Sequence, residues 1–160
     1  MVALPAGFAR EQLDIGTRLF LPHVKTAVSA LATNARVLDL ACGNGVVGVV
    51  ALEQRPDLDV TFADVSSQAV ASARDNVSRL LPESQARFDH ADGIGGSDGQ
   101  YDLILLNPPF HEGGVVGDHI ALRLFGAAAQ HLAPGGSLLI VGNRHLGYHR
   151  SLRKFFPAVR

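Results

Sequence analysis

The chain has 160 residues, the length of one domain, and its 14 Lys and Arg against 15 Asp and Glu give a net charge of −1. An apolar content of 47% and a mean hydropathy of +0.17 exclude a disordered or solvating tail, and a single cysteine, Cys42, excludes a disulfide scaffold and fits a reducing, cytoplasmic setting. The longest apolar runs, Leu103–Leu106 and Leu138–Val141, fall far short of the ~20 residues of a membrane-spanning helix, and Met1–Arg10 lacks the plan of a signal peptide.

Taken in order, the patterning predicts a helix over about Gly16–Leu31 and a first strand at Arg36–Leu40. A glycine turn at Cys42–Gly45 then opens a helix that runs to about Gln54. A second strand follows at Asp59–Ala63, and Ser66 or Ser67 caps a long helix to Leu80, ended by Pro82. Further strands are expected at about Ala86–His90, at Tyr101–Leu106 after a Gly93–Gly99 loop, and at Ser137–Val141 after Pro134-Gly135-Gly136. Helices near Asp118–His131 and Tyr148–Phe156 complete the alternation. Strands alternating with helices make a doubly wound, mostly parallel α/β sheet.

The charge is unevenly spread. Residues 1–118 carry 8 basic and 15 acidic side chains. Residues 119–160 carry six basic ones (Arg123, Arg144, Arg150, Arg153, Lys154 and Arg160), no acidic ones and four histidines. The C-terminal part is therefore expected to face a polyanion, the alternative being a solvated basic helix.

The chemistry gathers at strand ends. Gly43–Gly48 spells G-x-G-x-x-G after a strand and before a helix, which by itself suits a dinucleotide. Asp64, 21 residues after Gly43, can accept from ribose hydroxyls, or it can cap a helix. NAD and S-adenosylmethionine both carry such a ribose. Two features favour the second. Asp39 puts a carboxylate before the glycines, which suits a cationic methionine end and would repel a pyrophosphate. Asn107-Pro108-Pro109-Phe110 closes the fourth strand, and its prolines cannot continue the ladder, leaving carbonyls and the Asn107 side chain to hold an exocyclic amine while Phe110 stacks on its ring.

Asp39–Gly45, Asp64, Asp92-Gly93 and Asn107–Phe110 together resemble a class I S-adenosylmethionine-dependent methyltransferase acting on an sp² amine. With Leu13–Thr17, His111 and Asn143–Leu146, the sequence resembles more narrowly the catalytic domain of bacterial ribosomal RNA guanine-N2 methyltransferases, and its closing stretch the large-subunit (23S) branch. The resemblance runs from about Phe8 to Phe156. It implies a Rossmann-like fold and methyl transfer from S-adenosylmethionine to guanine N2 of ribosomal RNA, the base being single-stranded or flipped. It also implies that Gly43 and Gly45 contact the cofactor's sugar and methionine portion, Asp64 its ribose and Asp92 its adenine amine. Gly16 and Thr17 would close over the methionine carboxylate, and Asn107, Pro108 and Phe110 would hold the target base. No metal is implied, and Cys42 reads as a packing residue.

The resemblance normally brings a degenerate N-terminal domain before this one and two strands after its last helix. The chain is therefore expected to be part of a longer two-domain protein. Ala41 stands where the resemblance has a glycine. Three alternatives remain: a protein-glutamine methyltransferase with the same acceptor motif, a non-catalytic RNA-binding domain, and a dinucleotide oxidoreductase.

Overall fold

The computed structural model describes residues 15–92, 94, 99–106 and 115–140, with side chains from residue 20 onward except those of 115–118, 120 and 121. Helices α1 (Ile15–Ser29), α2 (Val46–Gln54), α3 (Ser67–Leu80) and α4 (Val115–Gln130) alternate with strands β1 (Arg36–Leu40), β2 (Asp59–Asp64), β3 (Arg87–His90), β4 (Tyr101–Leu106) and β5 (Leu132–Ile140). All neighbouring strands are parallel, in the order β3-β2-β1-β4-β5. The chain winds outward from β1 through β2 to β3, then returns to lay β4 on the other side of β1. That reversal is a topological switch point, where open α/β sheets bind ligands at the carboxyl edge. The expected helix at Tyr148–Phe156 and the Asn143–Leu146 segment lie outside the described residues.

Strand alternation sorts the core into two layers. On one face Val37, Val60, Phe62, Leu103 and Leu105 pack with Phe20, Leu21, Val24 and Val28 of α1, the apolar length of α2, and Ala73 and Val77 of α3. On the other face Leu38, Leu40, Ala63, Ile104 and Leu106 meet Leu124, Phe125 and Ala128 of α4. β1 and β4 are buried on both sides, which is why they read as mostly apolar, with Asp39 in β1 and Asp102 in β4 as the exceptions inside them.

Two features differ from the sequence reading. β5 begins at Leu132, not at Ser137, because Pro134-Gly135-Gly136 is carried inside the strand as an irregularity: Tyr101 pairs with Leu132, then Leu103 with Ser137. Gly135 has φ +79°, and a Cβ on Gly136 would lie 2.8 Å from the Tyr101 carbonyl, so the glycines let β5 buckle against β4. α4 also starts three residues before the expected Asp118, at Val115.

The amino edge is clasped by Arg55. Its guanidinium donates to the Val28 and Leu31 carbonyls at 2.9 Å and to that of Ala32 at 3.2 Å, which caps the end of α1. The same group forks onto Asp57 with two 2.8 Å bonds, and Asp57 also accepts from the Asn34 N–H at 2.8 Å. These bonds hold the Asp57 carboxyl well below the usual carboxylate range, the Arg55 fork being the largest cause. No described helix is long and apolar enough to cross a membrane.

Candidate functional site

The turn after β1 is built by bonds from three directions. Ala41 leaves the strand at φ +57°, a left-handed conformation that is strained for alanine, so the residue standing in place of glycine is not a neutral change. The Cys42 N–H donates to the Ala63 carbonyl of β2 at 2.9 Å, and the Gly45 N–H closes a tight turn on the Cys42 carbonyl at 2.9 Å. Gly43 and Gly45 have φ +54° and +85°. Gly45 also sits against α3, where an added Cβ would lie 2.9 Å from that of Ala73; at Gly43 an added Cβ would meet nothing within 4 Å among the described residues. Gly43 thus borders open space into which the backbone can be approached closely.

Three carboxylates stand at or just beyond the carboxyl ends of consecutive strands, and each is engaged differently. Asp39, in β1, is only 2% exposed and accepts from the Gly48 N–H of α2 at 3.0 Å. Burial pushes its carboxyl up to about 8, the Gly48 bond opposing and the nearby Asp64 charge adding to the rise. The sequence argument treats Asp39 as a fixed negative charge. The structure makes it a buried acid whose charge is disfavoured unless a cation approaches.

Asp64 ends β2. Its Oδ2 accepts from the Gly43 N–H and its Oδ1 from the Ser66 N–H, both at 2.9 Å. One carboxylate therefore holds the glycine turn and the entrance to α3, where the Ser66 hydroxyl caps the Ala69 N–H at 3.2 Å. A carboxylate offers about four acceptor positions, so one remains on each oxygen.

Asp92 lies two residues beyond β3, and the Ala91 N–H extends the ladder by donating to the Asp64 carbonyl at 3.0 Å. Both Asp92 oxygens are taken up by the guanidinium of Arg123 on α4, each at 3.0 Å. The sequence reading groups Arg123 with the cations that face a polyanion; in the fold its charge is paired with Asp92.

Structure adds three residues that the sequence reading did not single out. Asn76 of α3, 8% exposed, donates to the Asn44 carbonyl at 2.9 Å while accepting from Arg79 at 2.6 Å, so a buried amide props the glycine turn from beneath. Val65, next to Asp64, is 65% exposed and is the large hydrophobic side chain most open to solvent among the described residues. His90 holds the Val65 carbonyl through Nε2 at 2.9 Å. A buried amide inside an amphipathic helix and a valine following a strand-end acid are the signals that were available. Cys42 is buried, and burial beside Asp39 and Asp64 pushes its thiol well above the ordinary range, as suits a packing residue.

Gly16 and Thr17 lie in the first turn of α1, with their side chains outside the description. Asn107, Pro108, Phe110 and His111 lie outside the described residues. The strand that leads to them is described, and Leu106, its last residue, pairs with Leu40, the last residue of β1. The glycine turn and the chain leaving β4 therefore start side by side, about 4.8 Å apart, at the carboxyl edge.

Ribosomal RNA large subunit methyltransferase G of Alcanivorax borkumensis is 53% identical to this chain over 152 residues, which are 95% of the chain and 38% of that relative. The protein of the same name from Pseudomonas paraeruginosa is 50% identical over 153 residues, 95% of the chain and 40% of the relative. The chain spans about two fifths of the length of these curated relatives. Among solved structures, a T. thermophilus 16S rRNA N2 methyltransferase (RsmC), in complex with AdoMet and guanosine, matches with a TM-score of 0.79 at 25% identity, over 94% of this chain and 40% of that one. A SAM-dependent methyltransferase from Agrobacterium tumefaciens shares the fold with a TM-score of 0.69 at 22% identity, over 89% of this chain and 51% of that one. The methyltransferase small domain family matches along residues 1–160, and the chain belongs to it.

Proposed function

We propose that the chain is the catalytic part of an S-adenosylmethionine-dependent methyltransferase that methylates the exocyclic N2 amine of a guanine in ribosomal RNA, on the large-subunit side. The observation that carries this reading is the pairing of Leu40 with Leu106, which starts a glycine turn and the chain leading to Asn107-Pro108-Pro109-Phe110 from adjacent strand ends. The names of the curated relatives and of the T. thermophilus structure support it.

The residues present fit the cofactor. The open space at Gly43 admits a ligand against the backbone, and Asp64 keeps one free acceptor position on each oxygen for two ribose hydroxyls. Exposed Val65 offers an apolar surface to a purine. Asp39 would ionise when an ammonium or sulfonium comes near, since an opposite charge favours its charged form. When bound, S-adenosylmethionine would supply a methyl group on a sulfonium, for an amine nitrogen held in line to take up as the carbon–sulfur bond breaks. Asn107 and the Pro108 carbonyl would accept the two amine hydrogens, orienting the nitrogen lone pair, and Phe110 would stack on the base. Rate enhancement would come from alignment at ~3–3.5 Å, the amine losing its proton to solvent afterwards.

Asn107→Ala is expected to abolish tritium transfer from labelled S-adenosylmethionine into ribosomal RNA while leaving S-adenosylhomocysteine affinity nearly intact. Label appearing in protein instead of RNA would favour the glutamine methyltransferase reading. Equal loss of transfer and binding would assign Asn107 to structure.

A further inference from the structure

The Asp92–Arg123 pair is more specific in geometry than an incidental surface contact. Both terminal guanidinium nitrogens are used, Nη1 on Oδ2 and Nη2 on Oδ1, each at 3.0 Å. The two residues are 31 apart in sequence and come from different elements, Asp92 from the end of β3 and Arg123 from α4. An exposed carboxylate turns freely about its last torsion. A two-pronged fork fixes its plane.

The location matters because Asp64 and Asp92 follow one another at the ends of neighbouring strands, joined by the Ala91 N–H to Asp64 carbonyl bond. Strand spacing is about 4.8 Å, so a nucleoside whose ribose rests on Asp64 can reach Asp92 with its base. The guanidinium takes one acceptor position on each Asp92 oxygen and leaves one on each open.

We infer that Arg123 is a positioning residue for the nucleobase end of the cofactor, holding the Asp92 carboxylate in the plane that accepts the adenine amine. The inference rests on the proposed methyl-donor site. It also gives α4, which follows the acceptor strand β4, a direct hold on the cofactor end of the sheet. Side chains 57% and 58% exposed make an ion pair that adds little to folding, so its role in ligand selection can be measured separately from stability.

The experiment compares S-adenosylhomocysteine with its 6-deamino analogue, in which hydrogen replaces the exocyclic amine, by calorimetry on the purified protein. Wild type is expected to prefer the amine by about tenfold or more, the effect of one hydrogen bond to a charged acceptor. Arg123→Ala should reduce that preference to about threefold or less through weaker binding of S-adenosylhomocysteine alone, with an unchanged melting temperature. Arg123→Lys, which keeps the charge but cannot fork, should recover only part of it. A preference unchanged in Arg123→Ala, or tighter binding of S-adenosylhomocysteine, would overturn the inference, the latter by making Arg123 a competitor for Asp92. Wild type binding both ligands equally would also overturn it while leaving the methyl-donor reading in place. Wild type binding neither would remove both.

Discussion

Gly48→Ala separates the structural glycine of the turn region from the ligand-facing one. A Cβ on Gly48 would sit 2.3 Å from Cε1 and 2.6 Å from Cζ of Phe62, and 3.0 Å from Asp39 Oδ2. Carbon atoms pack at ~3.5–4.0 Å, so the ring must move by more than about an ångström. It has little room, since Phe62 is fully buried and stacked on Phe88 with centroids 5.3 Å apart and planes 13° off parallel. Overpacking of this kind costs about 3 kcal/mol at the upper end of its usual range, and alanine regains about 1 kcal/mol of helix propensity. The net loss of about 2 kcal/mol corresponds to a melting temperature lower by roughly 4–8 °C for a chain of this size. Gly43→Ala carries no such clash; a methyl there enters open space at φ +54°, with backbone strain of about 1–2 kcal/mol, and should chiefly impair S-adenosylhomocysteine binding. Thermal unfolding and calorimetry on both variants check the division. A Gly48→Ala protein as stable as wild type would refute the close helix–strand approach, and a Gly43→Ala protein of unchanged affinity would move the ligand away from that turn.

Ala41→Gly should raise the urea midpoint, because relief of a left-handed alanine, about 1–2 kcal/mol, exceeds the ~0.4–1 kcal/mol of entropy glycine adds to the unfolded chain; a lowered midpoint would contradict the strain. Asp39, pushed up to about 8 by burial, holds in the folded state a proton that the unfolded chain releases near pH 4, so its contribution is fully present below that pH and lost as pH rises toward 8. Asp39→Asn should flatten that decline in melting temperature, and parallel wild-type and variant curves would count against it. Asp57, held low by the Arg55 fork, contributes in the opposite sense, above the usual carboxylate range and lost as pH falls through its folded value. Asp57→Ala should therefore unfold more easily than wild type at neutral pH, with the two converging in strong acid.

Legibility in the sequence followed the range of the interactions involved. β1 and β4 were readable to the residue because two-sided burial writes a mostly apolar run bounded by turn residues, and the cap of α3 was readable because Ser66 acts on a neighbour three positions away. β5 was misread at its start because Pro134-Gly135-Gly136 has a loop's composition, and only pairing with β4 holds it in a strand. Within the site, the alignment of Asp64 with the glycine turn followed from spacing. The prop from Asn76, the fork from Arg123 and the burial of Asp39 did not, because each depends on how a helix docks across the sheet.

The three strand-end acids show how one sheet edge can carry so much formal negative charge. Asp39 is a buried acid pushed up to about 8 by burial, Asp64 accepts from two backbone N–H groups, and Asp92 is ion-paired. The charge that Asp39 withholds lies in β1 just before the glycine turn, where a cation would restore it. Under the methyl-donor reading, a neutral ligand there would leave the acid protonated, whereas an ammonium or sulfonium would favour its ionisation and gain a desolvated partner. Under that reading, burial of Asp39 would select for a positively charged ligand, because the carboxyl would ionise only beside a cation. The Asp92–Arg123 pair also leaves five of the six basic residues of the C-terminal sequence outside that contact.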